Sequence, residues 1–430
     1  MEKIDVVIVG GGLAGLSCAY ALTDTGLSII VLERGDFAGS KNVTGGRLYL
    51  NPVRDLFPDL WKDAPLERRI TKEIFTLMDD DSSTSFELFS QRFNQPPYHS
   101  YTILRSRFDK WLAEKVTEKG VFVIPQKRVD DLIYKNEKVV GVKVGSEEIR
   151  SDIVVAADGA LSLIAKKAGL KKESVPKDFA IGIKEIIKLP SKTIEERFNV
   201  TESEGVARIF AGALTKGMTG GGFLYTNHDS ISLGIVLGIK SLMRKELKSE
   251  AYRLLDEFKE RPEIKPLING GELVEYSAHL IPEGGLNMVP RLSRDGILVI
   301  GDAAGLCLNM LITVRGMDFA IASGYLAAQA IKSAKKNPSP AQGGIGACYQ
   351  ELLDKSFIMT NLKTFKGIPD LLENPRLFTL YPQMICNIFE KAMWIGSDSK
   401  PKISATILKE ITKNFLNIKG IKDILDLRKL

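Results

Sequence analysis

The feature that most limits the folds open to this chain is its beginning. The stretch Ile4 to Val9 alternates and then saturates with β-branched residues, runs into Gly10-Gly11-Gly12-Leu13-Ala14-Gly15 and then into a helical pattern from Leu16 to Thr25. The spacing of apolar residues changes across the glycines from that of a strand to that of a helix, which marks a strand, a tight turn and a helix packed back on a sheet. In such a turn Gly10 takes the bend, Gly12 lets the backbone approach a pyrophosphate, and Gly15 lets helix and strand close. The helix N-terminus, with Leu13 and Ala14, faces the phosphates. A second strand pattern, Leu27 to Leu32, ends at Glu33-Arg34, where an acidic residue about 20 positions on accepts hydrogen bonds from a ribose diol. The reading is a dinucleotide-binding unit in preference to a purely structural glycine turn. Val6 to Thr23 is also about as long as a membrane span, but its four glycines, its change of period and the preceding Met-Glu-Lys-Ile-Asp argue for a buried strand feeding a buried helix.

Two later segments repeat the theme. Asp295 to Gly305 is a buried strand ending in Gly301-Asp302 and opening a small-residue helix. Asp302 is placed to bind a second ribose, and Gly301 and Gly305 let the backbone crowd a flavin phosphate; the alternative is a buried Asp capping its own helix. A helix beginning near Gly316-Met317 would point its positive end at the N1/C2=O edge of an isoalloxazine. Val154 to Gly159 again ends a strand in Asp158-Gly159, after a β-meander from Val121 through Tyr134 and Val139 to Val144. Between the glycine turn and this strand, Tyr101 to Leu112 reads as an extended segment entering an amphipathic helix, with Arg105 as a cofactor-facing cation; Arg107 and Asp109 read equally as a surface pair. Together these elements predict a glutathione-reductase-like FAD-binding Rossmann fold, α/β and α+β, with an inserted β-sheet substrate domain and a C-terminal helical extension.

Composition bounds the rest. With 430 residues the chain exceeds what one core usually serves. A net charge of +6 over that length is far short of the basic blocks that neutralise nucleic-acid phosphates, so no nucleic-acid partner is expected. The same surplus suits an anionic membrane surface or a solvated lysine-rich face. Cys18, Cys307, Cys348 and Cys386 are scattered without CxxC spacing, and His99, His228 and His279 share no ligand spacing, so neither an iron–sulfur cluster nor a metal is expected of this chain. The expected layout is an FAD domain from 1–75, 101–170 and 291–335, a substrate domain from 76–100 and 171–290, and a mainly helical extension over 336–430. In that extension Phe378, Tyr381, Met384, Ile385, Ile388, Phe389 and Met393 recur at helical steps and form one apolar face, for core packing or for a membrane or partner.

Further strings narrow the family. Lys41 to Tyr49 (KNVTGGRLY), Gly220 to Tyr225 (GGGFLY), Glu275 to Gly285 (EYSAHLIPEGG) and Thr313 to Gly324 (TVRGMDFAIASG) resemble the FixC branch of the electron-transfer flavoprotein:quinone oxidoreductases, within the geranylgeranyl reductase superfamily. The resemblance runs on to Asn374 to Phe378 and Tyr381-Pro382. It implies that Gly10, Gly12, Gly15, Glu33, Arg105, Asp158 and Asp302 bind FAD, and that Thr44, Gly45 and Gly46 and Arg315, Gly316 and Met317 border the flavin ring. It also implies that Gly220 and Gly221 line a quinone pocket; a β-bulge or turn is the alternative. Leu311-Ile312 departs from the glycine and aromatic residue usual before Thr313. The chain also carries no cysteine-ligated iron–sulfur domain such as the fused quinone oxidoreductases have.

The resemblance therefore implies a peripheral subunit on the inner face of the cell membrane. It would accept electrons from an electron-transfer flavoprotein of alpha and beta subunits, with or without a small ferredoxin-like iron–sulfur subunit as intermediary. Menaquinone or ubiquinone would be reduced, in some complexes as the quinone arm of NADH-driven electron bifurcation. No catalytic acid or base stands out in the sequence. The rival readings are a geranylgeranyl-reductase-like enzyme acting on isoprenoid lipids and a non-catalytic prenyl- or lipid-binding protein on the same fold.

Overall fold

The computed structural model describes residues 3–41, 45–173, 175–244, 250–336, 344–415 and 418–429. Among these the strands form an eight-stranded sheet, a nine-stranded sheet and a two-stranded ribbon. The first sheet runs β16 (Ser293–Arg294), β17 (Ile297–Val299), β10 (Glu147–Ala156), β1 (Ile4–Val9), β2 (Ile29–Leu32) and β7 (Phe122–Ile124), while β8 (Asp131–Lys135) and β9 (Lys138–Val144) form a meander with β10. From β17 to β7 the pairings are parallel. Parallel strands are covered on both faces, which is why β1 from Val6 onward and β2 read as unbroken apolar runs. The helix α1 (Leu13–Leu22) follows the glycine turn, so Val6 to Thr23 is a strand and a helix, and no helix among the described residues is long and apolar enough to cross a membrane.

The second sheet runs β15 (Glu272–Pro282), β11 (Phe179–Lys188), β14 (Ser230–Gly238), β13 (Gly220–Thr226), β12 (Glu204–Gly212), β4 (Leu66–Met78), β6 (Ser100–Ile103) and β3 (Gly46–Tyr49), with β5 (Ser83–Phe89) on β4. Its strands alternate. Ile183, Phe210, Leu224, Leu233 and Ile235 turn to one face, where they pack with Leu254, Leu255 and Phe258 of the helix α3 (Ala251–Glu260). The other face looks toward the glycine turn. Strands β3, β4 and β6 belong to this sheet, so 46–49, 66–75 and 101–103 lie with it although the first domain was expected to contain them. The short β3 and β6 carry no pattern that tells one sheet from the other; their partners do.

The first sheet is covered by α1 and by α4 (Met317–Lys336), which pack face to face at glycine. A Cβ on Gly324 would come within 2.2 Å of the Ala14 carbonyl oxygen and 3.0 Å of the Cys18 nitrogen. Gly324→Val should therefore drive the helices apart and destabilise the chain by about 3 kcal/mol, the upper end of overpacking; a urea midpoint unchanged from wild type would contradict this packing.

The helix α5 (Leu380–Met393) divides its expected apolar face. Met384 and Cys386 are buried, with Cys386 and Ile385 packed on Leu77 and Ala211 of the second sheet, whereas Phe389 and Met393 are exposed.

Candidate functional site

Gly10 sits at φ +110°, and a Cβ there would lie 2.3 Å from the Ala157 carbonyl oxygen, so the bend can only be glycine. Gly15 packs against the Gly10 carbonyl, where a Cβ would come within 2.1 Å. Gly12 is different: a Cβ there would meet nothing of the protein within 4 Å. Its side faces a cavity of about 700 Å³ that lies between the two sheets. Glu33 at the end of β2 braces the turn, since its carboxylate accepts from the Gly11 amide at 2.7 Å and from the Gly35 amide at 2.6 Å.

The wall of this cavity gathers residues from across the chain. Gly10, Gly12, Leu13, Ala14, Glu33, Arg34, Gly45, Gly46, Arg105, Asp158, Gly159, Asp302, Gly316 and Met317 line it, and so do Gly220 and Gly221. Gly15, Gly301, Gly305 and Arg315 stand behind that wall. Gly301 closes on Ala14, where a Cβ would meet another at 2.7 Å, and Gly305 closes on Met288. Arg315 pairs with Asp318 and lies over the rings of Phe319 and Phe357, at 4.8 and 5.3 Å. Thr44 lies outside the described residues. Met317 opens α4, so the positive end of a long helix is presented at the cavity beside Gly46.

The two aspartates at strand ends behave differently. Asp158 accepts from the Ile164 amide at 3.0 Å and from the Ser162 hydroxyl at 3.4 Å, so it ties down a helix start. The Asp302 carboxylate has no hydrogen-bond partner among the described residues, and so does not cap its own helical turn. Burial raises the Asp302 carboxyl above the ordinary range, against the pull of Arg105 and Lys171. Arg105 lies at the start of the helix α2 (Arg105–Glu118) and is held bidentately by the buried Asp109, at 2.7 Å through both nitrogens. The surface pair between Arg107 and Asp109 is thereby excluded; Arg107 reaches Glu67 at 3.6 Å instead. Leu311 adopts φ +70°, a left-handed conformation that glycine takes freely and an L side chain takes at a cost.

Gly220 and Gly221 have a reason of their own to be glycine. A Cβ on Gly220, at φ +141°, would lie 2.0 Å from the Val236 carbonyl oxygen, and one on Gly221 would lie 2.5 Å from that of Phe210. Sheet packing alone demands them, and their small size leaves the cavity open at this end.

The second sheet also supplies residues that motif reading passed over. Lys184 in the middle of β11 lines the cavity and donates to the Gly45 carbonyl, and burial lowers its amine to about 7. His279 on the next strand is pushed down to about 4 by burial and by Arg105, Arg34 and Lys184. Arg47 is held by Glu73 and lies 4.4 Å over the Tyr49 ring. A sequence signal for Lys184 did exist, in the form of one charge set between Gly182 and Ile186 on the inward phase of an apolar strand.

The donor set fits FAD. One wall bears a strand-end carboxylate with no hydrogen-bond partner among the described residues, a glycine open to the cavity at a helix N-terminus, and a second helix N-terminus farther along, which together match a polyhydroxyl chain, a pyrophosphate and an electron-rich ring edge.

Comparison with known proteins agrees with this geometry. Residues 5–173 match the family "FAD dependent oxidoreductase", 179–281 match "ETF-QO, ubiquinone-binding", and 368–429 match "ETF-QO/FixC family C-terminal domain". The chain is 42% identical over 400 residues to the probable electron transfer flavoprotein-quinone oxidoreductase YdiS of Escherichia coli, covering 93% of this chain and 92% of that one. It is 41% identical to protein FixC of Salmonella typhimurium over 98% of this chain and 99% of that one. Among solved structures, a geranylgeranyl bacteriochlorophyll reductase-like protein from Thermoplasma acidophilum superposes with a TM-score of 0.72 at 22% identity, covering 99% of this chain and all of that one, which establishes the shared fold. A full-length match at this identity, together with a cavity built for FAD, places the chain in the FixC/electron-transfer flavoprotein–quinone oxidoreductase family of FAD-dependent oxidoreductases.

Proposed function

We propose that this protein takes electrons from an electron-transfer flavoprotein of alpha and beta subunits, through a small ferredoxin-like subunit, and reduces menaquinone or ubiquinone at the membrane surface. The observation that carries this reading is a single cavity reaching from the glycine turn and Asp302 to the glycine-lined face of the second sheet, within the segment matching the ubiquinone-binding family. In this reading Glu33 holds the ribose diol of the adenosine half and Asp302 the ribityl hydroxyls of the flavin half, Gly12 and the start of α1 meet the pyrophosphate, and Gly316 and Met317 face the ring edge. Bound FAD supplies exchange of one or two electrons, which matches single-electron donors to a two-electron acceptor. Gly220 and Gly221 leave room for a quinone head group against backbone.

A surface role fits the exposed apolar end of α5. Met393, Trp394 and Ile395 are each more than 70% exposed, with Lys391, Lys400 and Lys402 close by in sequence, a mixture suited to an anionic lipid surface. In an NADH-oxidising complex this chain would form the downhill quinone arm.

Anaerobic stopped-flow tests the reaction. The reduced protein should be reoxidised rapidly by a menaquinone analogue and slowly by an unsaturated isoprenoid lipid; the reverse order would favour the geranylgeranyl-reductase reading. Asp302→Ala should weaken FAD binding about 10- to 100-fold, the loss of charge-assisted hydrogen bonds of about 1.5–3 kcal/mol. Fluorescence titration of the apoprotein with FAD measures this, and an unchanged Kd would remove Asp302 from the cofactor site.

A further inference from the structure

Residues directly opposite one another in an antiparallel sheet share a face. The pairing Gly182–Val236–Gly221 therefore forms one row on the cavity side of the second sheet, and Lys184–Gly234–Phe223 forms the next. The rows lie about 7 Å apart along the strands, within reach of an extended lysine. Gly234 makes the second row possible, because a Cβ there would meet the Phe223 ring at 2.5 Å. The Lys184 nitrogen lies 5.7 Å from the centre of that ring. Across β15 the same row presents Ser277, whose hydroxyl is buried without a hydrogen-bond partner among the described residues. The adjacent Glu185 points the other way and is met by Lys259 at 2.8 Å, whereas Lys184 makes no ion pair among the described residues.

We infer that Lys184 is the proton donor to the quinone carbonyl oxygen at the Gly220–Gly221 end of the cavity, an assignment that rests on the quinone reading above and on Lys184 standing one row from those glycines. The family resemblance supplied no acid for this step, and the other titratable groups facing Lys184 are unsuited to it. On β15, His279 is held neutral at physiological pH, and Glu275 favours the ammonium form of Lys184 through space. From α2, Arg105 disfavours that form but is itself committed to Asp109. On β13, burial pushes the Tyr225 hydroxyl well above its ordinary range; on β3 and β4, Arg47 and Glu73 hold each other; and β14 offers Ser232 and Gly234. Glu283, at the end of β15, accepts from Asn309 at 3.1 Å. Burial outweighs Glu275 and sets the Lys184 amine at about 7, so both its forms are populated at working pH.

In the step, an N–H bond of the ammonium breaks, an O–H bond forms on the quinone, and the nitrogen keeps the electron pair. The two electrons are those the oxidoreductase activity supplies. A proton from bulk solvent, relayed by water entering the cavity, restores the ammonium after the transfer, and the second quinone oxygen takes its proton from solvent.

The test compares FAD-loaded wild type, Lys184→Met and Lys184→Arg. In wild type, kcat/KM for a menaquinone analogue should fall as pH rises through about 7, where the donor loses its proton. Lys184→Met should lose that limb and about 100- to 1000-fold in rate, while keeping its FAD and its flavin potential. Lys184→Arg, protonated throughout, should be slow and flat. Independently of turnover, NMR of ¹³C-methylated lysines should show one resonance titrating near 7 that is missing from Lys184→Met. The assignment is overturned if Lys184→Met keeps the wild-type rate and limb, if it releases FAD, or if no lysine titrates near 7. If wild type itself fails to reduce quinone, the quinone reading falls first, and the NMR titration reports on Lys184 separately.

Discussion

Arg68→Ala is expected to destabilise the protein by about 3–5 kcal/mol, among the largest effects of any single replacement outside the cofactor cavity. Arg68 is fully buried in β4, and all its guanidinium nitrogens are engaged. Nε donates to the Asn227 carbonyl at 2.7 Å. One Nη donates to the carbonyls of Thr201 and Glu204, at 2.9 and 3.2 Å. The other donates to the Ser191 hydroxyl, the Glu195 carboxylate and the His228 carbonyl, at 2.7, 3.3 and 3.1 Å. These acceptors belong to the turn between β13 and β14, the loop before β12 with that strand's first residue, and the helix after β11, so one side chain anchors three connections at one end of the second sheet. Truncation leaves several carbonyls buried without donors, each costing on the order of 1–3 kcal/mol before relaxation. Lysine should rescue only part of the loss, because a single ammonium cannot reproduce the planar fork. Urea denaturation of the apoprotein measures the change; a loss below about 1 kcal/mol would show that water replaces the guanidinium.

The second large effect has the opposite sign and depends on pH. A lysine whose folded pKa lies near 7, against an ordinary 10.5, binds its proton more weakly in the native chain than in the unfolded one. Between those values the unfolded state carries the extra proton, so the wild-type apoprotein gains stability as pH rises through that window. Below about 7 both states are protonated and the full cost of the buried charge remains. At about 1.4 kcal/mol per decade this amounts to roughly 4–5 kcal/mol as an upper bound. Lys184→Met should therefore be the more stable protein at pH 6.5, with the gap narrowing until it closes near 10.5. Parallel urea titrations along the pH axis would show it, and a gap that stays constant would mean that Lys184 is solvated in the folded state.

The elements whose shape is set by their own backbone were the legible ones. The turn Gly10 to Gly15 could be read because its bend and helix start are properties of consecutive residues. Met317 begins α4 where the sequence expected a helix to begin, since a long apolar period needs no partner to declare itself. The aspartates show the limit of such reading: Asp158 and Asp302 end similar strands, yet one is consumed by a helix start a few residues on and the other is left open. Arg105 and Arg107 both precede Asp109 in one helix, and only the burial of Asp109 decides which of them it takes.

What the sequence alone determined was the strand–glycine turn–helix unit, the family and many of the residues that converge on one cavity, because glycine spacing and strand-end acids act over short stretches of chain. The tertiary structure decided the sheet to which β3, β4 and β6 belong, the anchoring by Arg68, and the exposure of Lys184 to the cavity. Each of these depends on partners more than a hundred residues away, such as Asn227 for Arg68 and Gly45 for Lys184, and the energy of burying a charge is set by those partners and not by its neighbours in the chain.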